Sequence, residues 1–318
     1  MLTEAPSTVL TDRAMASDVL IVSGANGLES RRTSLAQLAL EEIRAIERAC
    51  NRFDPHSALS QLNALGADKG VDPALFSTIE AAVAEHQRTK GRFDPRVLVD
   101  LEHLGYDRSF AEIIERDFET TAASEEPRDW STLLWEPALN VSERAIELGG
   151  ARIDLGGIGK GVAVDRAFGT LCPDGQAGLI DIGGDGRFGG RGEMDQPWMI
   201  GIEDPHGGSD PVAVFTTDAG GYATSSTMVR RWKNSGDIVH HLIDPATGRP
   251  GGEGLASVTV VASTCMTAEV DAKVAFLAGA DAIASHCDRG DVAALWIDAA
   301  GTIAWSPMFA PMVQWVRP

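Results

Sequence analysis

Four glycines occur within the stretch Asp154-Leu-Gly-Gly-Ile-Gly-Lys-Gly-Val-Ala-Val-Asp165. They lie just before and within a run of residues whose apolar positions have helical spacing. This pattern predicts a glycine-rich turn that leads into a helix. Glycines let the backbone approach a ligand closely, and the free N–H groups of a helix start favour phosphate, with Lys160 adding positive charge. The spacing matches neither a Walker A loop nor the Rossmann fingerprint. A tight strand-to-helix turn with a surface lysine is the plain structural alternative.

Apolar periodicity on both sides of this turn predicts alternating helices and strands. Asp72 followed by Pro73 marks a helix start, and Gly91 suits the end of that helix. The predicted helices are 35–50, 72–91, 161–172 and 268–286, and the predicted strands are 19–23, 177–183, 197–203, 211–217, 257–263 and 292–298. Strand-rich halves that also carry long helices indicate an α/β (α+β) fold, with mixed sheets covered by helices.

The domain organisation follows from one polar stretch and the length of the chain. Its 318 residues suffice for one large domain or two modest ones. We expect residues 1–14 to form an N-terminal tail and residues 15–318 a single domain. The acidic segment around 115–140 has few periodic apolar positions, which predicts an exposed insertion or the connection between two lobes.

Composition excludes several classes of protein. With 46 Asp plus Glu against 27 Lys plus Arg, the formal charge of −19 argues against nucleic-acid binding. The apolar runs are shorter than the ~18 residues of a spanning helix, so no membrane insertion is expected. The opening residues lack the features of a leader or a lipidated cysteine, which predicts a cytoplasmic protein. The four cysteines have no C-x-x-C spacing and are expected to be buried apolar residues.

Three further segments carry candidate chemistry, and each has a plain structural alternative. Asp181 and Asp185 flank a glycine pair at a strand end, where an ordinary turn is equally consistent. His241 precedes Asp244 in a loop and is a candidate base or a surface residue. Glu269 and Lys273 are four apart in a predicted helix and therefore share one face, which also suits an exposed ion pair.

Taken in order, the motifs resemble the FAD:protein FMN transferase family, the ApbE-type flavin transferases. The similar segments are Arg52-Phe-Asp-Pro-His-Ser-Ala-Leu-Ser-Gln-Leu-Asn63, Gly91-Arg-Phe-Asp-Pro95, residues 154–165, Asp181-Ile-Gly-Gly-Asp185, Ala223-Thr-Ser225 and His241-Leu-Ile-Asp-Pro-Ala-Thr-Gly248. The resemblance covers nearly the whole chain. It implies a two-lobed, T-fold-like architecture with largely antiparallel sheets.

The resemblance implies an activity and a set of ligands. Members bind FAD, cleave its pyrophosphate with the help of Mg²⁺, and attach FMN through a phosphoester to a Thr or Ser of a target protein, releasing AMP. The implied FAD contacts are Met15, Phe53, Arg92, Phe93, Asp94, Asp154, Lys160 and Ile243. The implied metal positions are Gly157, Glu269, Ala272 and Lys273.

The metal positions also hold the main departure from the family pattern, which has Asp and Thr where this chain has Glu269 and Lys273. A charged lysine has donors and no lone pair, so Lys273 cannot replace a threonine ligand directly. Either Glu269, the carbonyls of Gly157 and Ala272 and phosphate oxygens hold Mg²⁺ while Lys273 is displaced, or the Lys273 ammonium takes the place of the metal. We favour the second, in which Glu269 and Lys273 pair across one helical turn.

The expected reaction is in-line attack of a target hydroxyl on the FMN-side phosphorus. His241 is the expected proton acceptor, positioned by Asp244, and Lys273 or the metal neutralises the phosphates. Attack by water would instead make the protein an FAD pyrophosphatase that yields FMN and AMP. A non-catalytic FAD-binding protein is a further alternative. In a last alternative the chain is itself a flavin acceptor, but Asp218–Thr224 only loosely resembles the acceptor motif.

Overall fold

The computed structural model describes residues 7–24, 28–113, 134–173, 175–192, 196–227, 230–234 and 236–318. Across these ranges, no helix combines the length and the apolar character that crossing a membrane requires. The residues predicted to connect two lobes around 115–140 fall largely at 114–133, outside the described ranges. The two-lobe division therefore stays a prediction.

Most of the strands, which are two to eight residues long, lie in the second half of the chain. In chain order they are β1 (Thr8–Ala14), β2 (Ser17–Ser23), β3 (Ala67–Asp68), β4 (Ala138–Asn140), β5 (Ala145–Glu147), β6 (Gly178–Ile182), β7 (Asp185–Gly189), β8 (Met199–Ile202), β9 (Ala213–Thr216), β10 (Gly220–Ser226), β11 (Arg231–Asn234), β12 (Asp237–His240), β13 (Ile243–Asp244), β14 (Arg249–Pro250), β15 (Leu255–Ala262), β16 (Ala293–Asp298), β17 (Ile303–Trp305) and β18 (Val313–Val316).

The helices lie in the first half and near the end of the chain. They are α1 (Glu29–Cys50), α2 (Ala58–Leu65), α3 (Pro73–Arg88), α4 (Leu98–His103), α5 (Phe110–Ile113), α6 (Gly159–Leu171), α7 (Cys265–Leu277) and α8 (Ile283–Gly290), with short 3₁₀ segments at Pro95–Val97 and Ala310–Met312. The predicted start of α3 is confirmed, because the Asp72 side chain accepts a hydrogen bond from the N–H of Ala74 and Pro73 is the first helical residue.

An eight-stranded sheet in the order β1-β2-β6-β7-β10-β15-β16-β17 forms the centre of the fold, and every neighbouring pair in it is antiparallel. Along β6, Ile180 and Ile182 pack with the helices, whereas Leu179 packs on the opposite face. This alternation follows from the two-residue period of a strand. The predicted α+β class, with antiparallel sheets flanked by helices, is confirmed.

The face of the large sheet opposite the helices is covered by a second sheet, β18-β9-β8. Phe215 of this sheet contacts Phe309, with ring centroids 5.5 Å apart, and both rings are fully buried with Phe188 of β7. The protein therefore has three layers: helices, the large sheet and the small sheet. The helices pack against one face of the large sheet, and the small sheet packs against the other.

Two expectations from the sequence differ from the structure. Residues 8–14, predicted as part of a tail, form β1, which pairs with β2 from Thr8↔Ser23 to Ala14↔Ser17. Its alternating exposed and half-buried side chains are those of an edge strand, which explains the weak apolar signal. The predicted helix 268–286 is two helices, because Gly279 between α7 and α8 has a φ of +75°.

The helices α6 and α7 approach closely at Gly161. A β-carbon on residue 161 would lie 2.7 Å from the backbone nitrogen of Met266 and 3.0 Å from the carbonyl carbon of Cys265. The close approach brings Asp165 of α6 to the start of α7, where its two carboxylate oxygens each accept a hydrogen bond, from the N–H groups of Cys265 and Met266 (3.0 Å each). These N–H groups have no partner within their own helix, so Asp165 satisfies them.

The substitution Gly161→Ala is expected to lower the free energy of unfolding by about 1–3 kcal/mol, because the added methyl must push two backbones apart. Gly169→Ala is the matched control on the same helix, since nothing lies within 4 Å of the added β-carbon. The control is expected to gain roughly 0.5–1 kcal/mol from helix propensity. Urea unfolding followed by circular dichroism measures both, and equal stability of the two variants would contradict the close approach.

Candidate active site

One cavity brings together residues from five separate parts of the chain. Its walls come from the end of α1, from the segment between α3 and α5, and from the glycine turn before α6 together with β13 and α7. The lining residues are Cys50, Asn51, Arg52, Phe53, Arg92, Phe93, Asp94, Val97, Leu101, Tyr106, Asp154, Gly156, Gly157, Arg230, His241, Ile243, Pro245, Lys273 and Leu277. Nine of the residues singled out from the sequence are among them.

The turn after α3 directs Arg92 and Phe93 into the cavity. The N–H of Gly91 donates to the carbonyl of His86 (2.9 Å), a Schellman arrangement in which the left-handed residue is Lys90 (φ +54°) and Gly91 follows it with a φ of +80°. The imidazole of His86 is buried between two backbone groups: Nε2 accepts from the N–H of Trp135, and Nδ1 therefore donates to the carbonyl of Phe93 (2.8 Å each). These contacts fix the backbone of Phe93 at the cavity wall.

The carboxylate of Asp94 lines the same wall but is already engaged. It accepts hydrogen bonds from the guanidinium of Arg96 at 2.5 to 3.1 Å, and one of its oxygens also accepts from the backbone N–H of that residue. Both side chains are buried. Asp94 therefore caps the 3₁₀ segment that follows it, and its remaining lone pairs are what it offers to a ligand.

Asp154 shapes the glycine turn and holds an arginine. One carboxylate oxygen accepts from the N–H of Gly156 (2.6 Å), and the other lies 3.2 Å from Nε of Arg52. The side chain of Arg52 is only 7% exposed, and its Nη2 is buried with no hydrogen-bond partner among the described residues. A buried guanidinium nitrogen without a hydrogen-bond acceptor costs free energy, so this nitrogen is suited to donate to an acceptor atom of a ligand.

Aromatic rings surround this arginine. The guanidinium carbon of Arg52 lies 4.1 Å from the ring centroid of Phe53 and 4.6 Å from that of Tyr106, and the two rings are 5.6 Å apart. Phe53 is 36% exposed, which leaves flat apolar surface open to a planar ligand. Sequence reasoning singled out Phe53 but missed Arg52, Tyr106 and Arg230. Arg52 stands within a quoted motif, whereas nothing in the sequence marks the other two.

Lys273 reaches the cavity from α7. Its Nζ lies directly beside Gly157, in the space that a β-carbon on residue 157 would take, and it is 5.9 Å from the ring centroid of Phe93. No hydrogen bond or ion pair with a described residue holds Nζ. Burial lowers the pKa of Lys273, and the nearby carboxylates of Glu269 and Asp154 oppose that change.

The predicted pair between Glu269 and Lys273 does not form. Glu269 Oε2 instead accepts a hydrogen bond from the backbone N–H of Gly161 (2.7 Å), because α6 lies closer to it than the lysine head does. Burial, with a further contribution from Asp185, raises the pKa of Glu269 to about 7.

Lys160, the cation of the glycine motif, also has a partner outside the cavity. Its ammonium forms an ion pair with Asp185, whose other oxygen accepts from the N–H of Thr224 (3.0 Å). Burial alone would lower the pKa of Lys160, but Asp185 and Glu269 outweigh it and the pKa is raised. The glycines between Asp181 and Asp185 both have positive φ, so this segment is the tight hairpin turn between β6 and β7.

The residues at the implied metal positions do not fit a divalent cation. Mg²⁺ binds oxygen donors, and Lys273 supplies only N–H donors at the position where the family pattern has a threonine oxygen. The Lys273 ammonium also lies against Gly157, whose carbonyl is the implied ligand. A cation at that point would face an ammonium that repels it.

His241 lines the cavity, but Asp244 does not position it. Residues 241 and 243 both line the cavity, while Asp244 uses a carboxylate oxygen to accept from the N–H of Ala246 (3.0 Å) in the turn before β14. The hydrogen-bond partner of His241 Nδ1 is the carbonyl of Arg230 (3.4 Å), so Nδ1 donates and Nε2 is left to accept. Burial, Arg230 and Lys273 lower the pKa of His241 well below its usual range.

The predicted site residues therefore fall into two groups. Phe53, Arg92, Phe93, Asp94, Asp154, Gly157, His241, Ile243 and Lys273 share the cavity. The other residues lie outside its lining, and they are Met15, Lys160, Asp244, Glu269 and Ala272. Met15 is in the turn between β1 and β2, where its side chain approaches Gly159 at the start of α6.

Comparisons with known proteins agree with this architecture. A curated relative named FAD:protein FMN transferase, from Treponema pallidum, is 29% identical over 264 residues, which are 76% of this chain and 71% of the relative. A crystal structure of an ApbE protein from Thermotoga maritima is similar with a TM-score of 0.79 and 28% identity, and covers 97% of this chain and 100% of that chain. A flavin transferase ApbE from Vibrio cholerae, 20% identical with a TM-score of 0.71 over 97% of this chain and 99% of that chain, shares the fold. The profile of the ApbE family matches residues 14–296, and this chain belongs to that family.

Proposed function

We propose that this protein is an FAD:protein FMN transferase, which attaches FMN to a Thr or Ser hydroxyl of a target flavoprotein and releases AMP. The observation that carries the proposal is a single cavity with an open aromatic surface at Phe53, an unpaired ammonium at Lys273 and a neutral imidazole at His241. The planar ring of a dinucleotide matches the aromatic surface, and its pyrophosphate matches the ammonium. Curated relatives that carry this name support it.

The cavity offers separate surfaces for the ring and for the phosphates. Phe53 and Tyr106 present aromatic faces, and the unpartnered Nη2 of Arg52 can donate to a ring or phosphate oxygen beside them. Arg92 reaches the rim, where its Nη1 donates to Nδ1 of His286 (2.9 Å). The carboxylates of Asp94 and Asp154 can accept from ribose hydroxyl or ring N–H groups through their remaining lone pairs.

In the proposed reaction, the oxygen of the target hydroxyl forms a bond to the FMN-side phosphorus, and the bond from that phosphorus to the bridging oxygen breaks. AMP leaves with the bridging oxygen. The proton of the hydroxyl passes to Nε2 of His241, which is free to accept because Nδ1 donates to the carbonyl of Arg230. We also propose that the acceptor is a flavoprotein and that the reaction takes place in the cytoplasm. Positioning and charge neutralisation supply most of the acceleration.

Incubation of the purified protein with FAD and a fragment that carries an acceptor threonine is expected to release AMP and to give a fluorescent fragment band. AMP is measured by chromatography and the attached flavin by in-gel fluorescence. The same fragment with its threonine changed to alanine is the control and should stay dark. AMP without a labelled band would indicate the pyrophosphatase, and bound FAD without AMP would indicate a flavin-binding protein.

The substitution His241→Gln is expected to reduce kcat roughly 100-fold, the usual contribution of a general base, while leaving the Kd of FAD within about twofold. Because the pKa of His241 is lowered, the imidazole stays unprotonated as the pH falls through 6.5, the usual value for histidine. The acid limb of kcat/KM in the wild type should therefore lie below that pH. An acid limb that persists unchanged in His241→Gln would show that another group accepts the proton.

The substitution Arg52→Leu is expected to raise the Kd of FAD by roughly tenfold or more, since a charged hydrogen bond contributes about 1.5–3 kcal/mol. Quenching of flavin fluorescence measures the affinity. Arg152→Leu is the matched control, because Arg152 pairs with Glu102 on the surface and does not line the cavity. Unchanged FAD affinity in a folded Arg52→Leu protein would remove Arg52 from the proposed site.

A further inference from the structure

Lys273 is a cation without a counter-ion at the wall of the cavity. The described residues provide neither a hydrogen bond nor an ion pair for its Nζ. The neighbouring carboxylates have other partners: Asp154 holds Arg52 and the N–H of Gly156, and Glu269 holds the N–H of Gly161. A half-buried ammonium in this setting is expected to find an anionic partner in a ligand.

The backbone keeps this ammonium in place. Nζ lies directly beside Gly157, and Cε is 3.0 Å from the position that a β-carbon on residue 157 would take. The ring centroid of Phe93 is 5.9 Å from Nζ. The lysine stem is anchored in α7, whose start is bound to Asp165 of α6. The charge is therefore positioned by two helices and a glycine turn.

We propose that the Lys273 ammonium is a built-in cation that binds the pyrophosphate of the dinucleotide, so that neither binding nor AMP release requires a divalent metal. This inference rests on the proposed transferase function for its reaction. Lys273 keeps its protons and forms no covalent bond. It neutralises charge on the non-bridging oxygens while the bond to AMP breaks, and Arg52, Arg92 and Arg230 line the same cavity as additional cations.

The first test compares the wild type in EDTA with the wild type in Mg²⁺, using AMP release and the Kd values of FAD and ADP. We expect each quantity to agree within about twofold between the two conditions, because the cation belongs to the chain. Lys273→Met should reduce AMP release roughly 100-fold in both conditions and raise both Kd values. Lys69→Met is the matched control, since Lys69 is an exposed lysine outside the cavity.

A second variant, Lys273→Thr, replaces the ammonium with a hydroxyl oxygen and leaves Glu269 in place. We expect this variant to bind Mn²⁺, observed by electron paramagnetic resonance without FAD, and to recover part of its AMP release when Mg²⁺ is added. The wild type should bind no Mn²⁺ at this position. Circular dichroism and the unfolding temperature establish that each variant is folded.

Strict dependence of the wild type on Mg²⁺, or Mn²⁺ bound to the wild type and lost in Glu269→Gln, would overturn the proposal. If no AMP is released under any condition, the transferase function fails while the binding measurements still decide the role of Lys273. In that case, an unchanged Kd of ADP in the folded Lys273→Met variant would overturn the proposed role of Lys273 as the built-in cation. A Kd raised about tenfold in EDTA would support it.

Discussion

The carboxylate of Asp165 binds the first two N–H groups of α7, and the position of the candidate site depends on this contact. The contact requires α6 and α7 to touch at Gly161, where no side chain fits. Arg187 also pairs with Asp165 (2.8 Å), which compensates its charge at the helix start. Once the start of α7 is fixed, Lys273 emerges two turns later beside Gly157. Gly161 of the quoted stretch therefore serves helix packing.

Local rules predicted the parts of the fold that local chemistry decides. Asp72 with Pro73 marked the start of α3, because cap residues act within a few positions. The glycine pair after Ile182 was equally consistent with an ordinary turn, and in the structure it forms the hairpin turn between β6 and β7. Gly279 interrupts a run whose apolar spacing continues across it, so one helix was predicted where two exist. The edge strand β1 was missed, since only Ala14 of its seven residues is buried and its sequence is polar.

The site was predictable in its membership and less so in its contacts. Phe53, Phe93, Asp154, His241 and Lys273 share one cavity, as the family motifs implied. The pairings depend on tertiary distances that spacing does not encode. The four-residue spacing of Glu269 and Lys273 predicted an ion pair, but α6 offers Glu269 a closer backbone donor. Tyr106 follows α4 in an ordinary-looking stretch, and only the folded chain brings its ring to Arg52.

The walls of the cavity come from positions as far apart as Phe53 and Lys273, and α3 is joined to α7 by the contact of Arg88 with Asp271 (2.6 Å). Closing such distant segments on each other costs chain entropy that local contacts do not repay. A ligand bound in the cavity therefore links, without a covalent bond, segments that are far apart in the sequence. By mass action, ligand at 100 times its Kd adds about 2.7 kcal/mol to the free energy of unfolding. Occupancy of the cavity and integrity of the whole domain are thus thermodynamically linked.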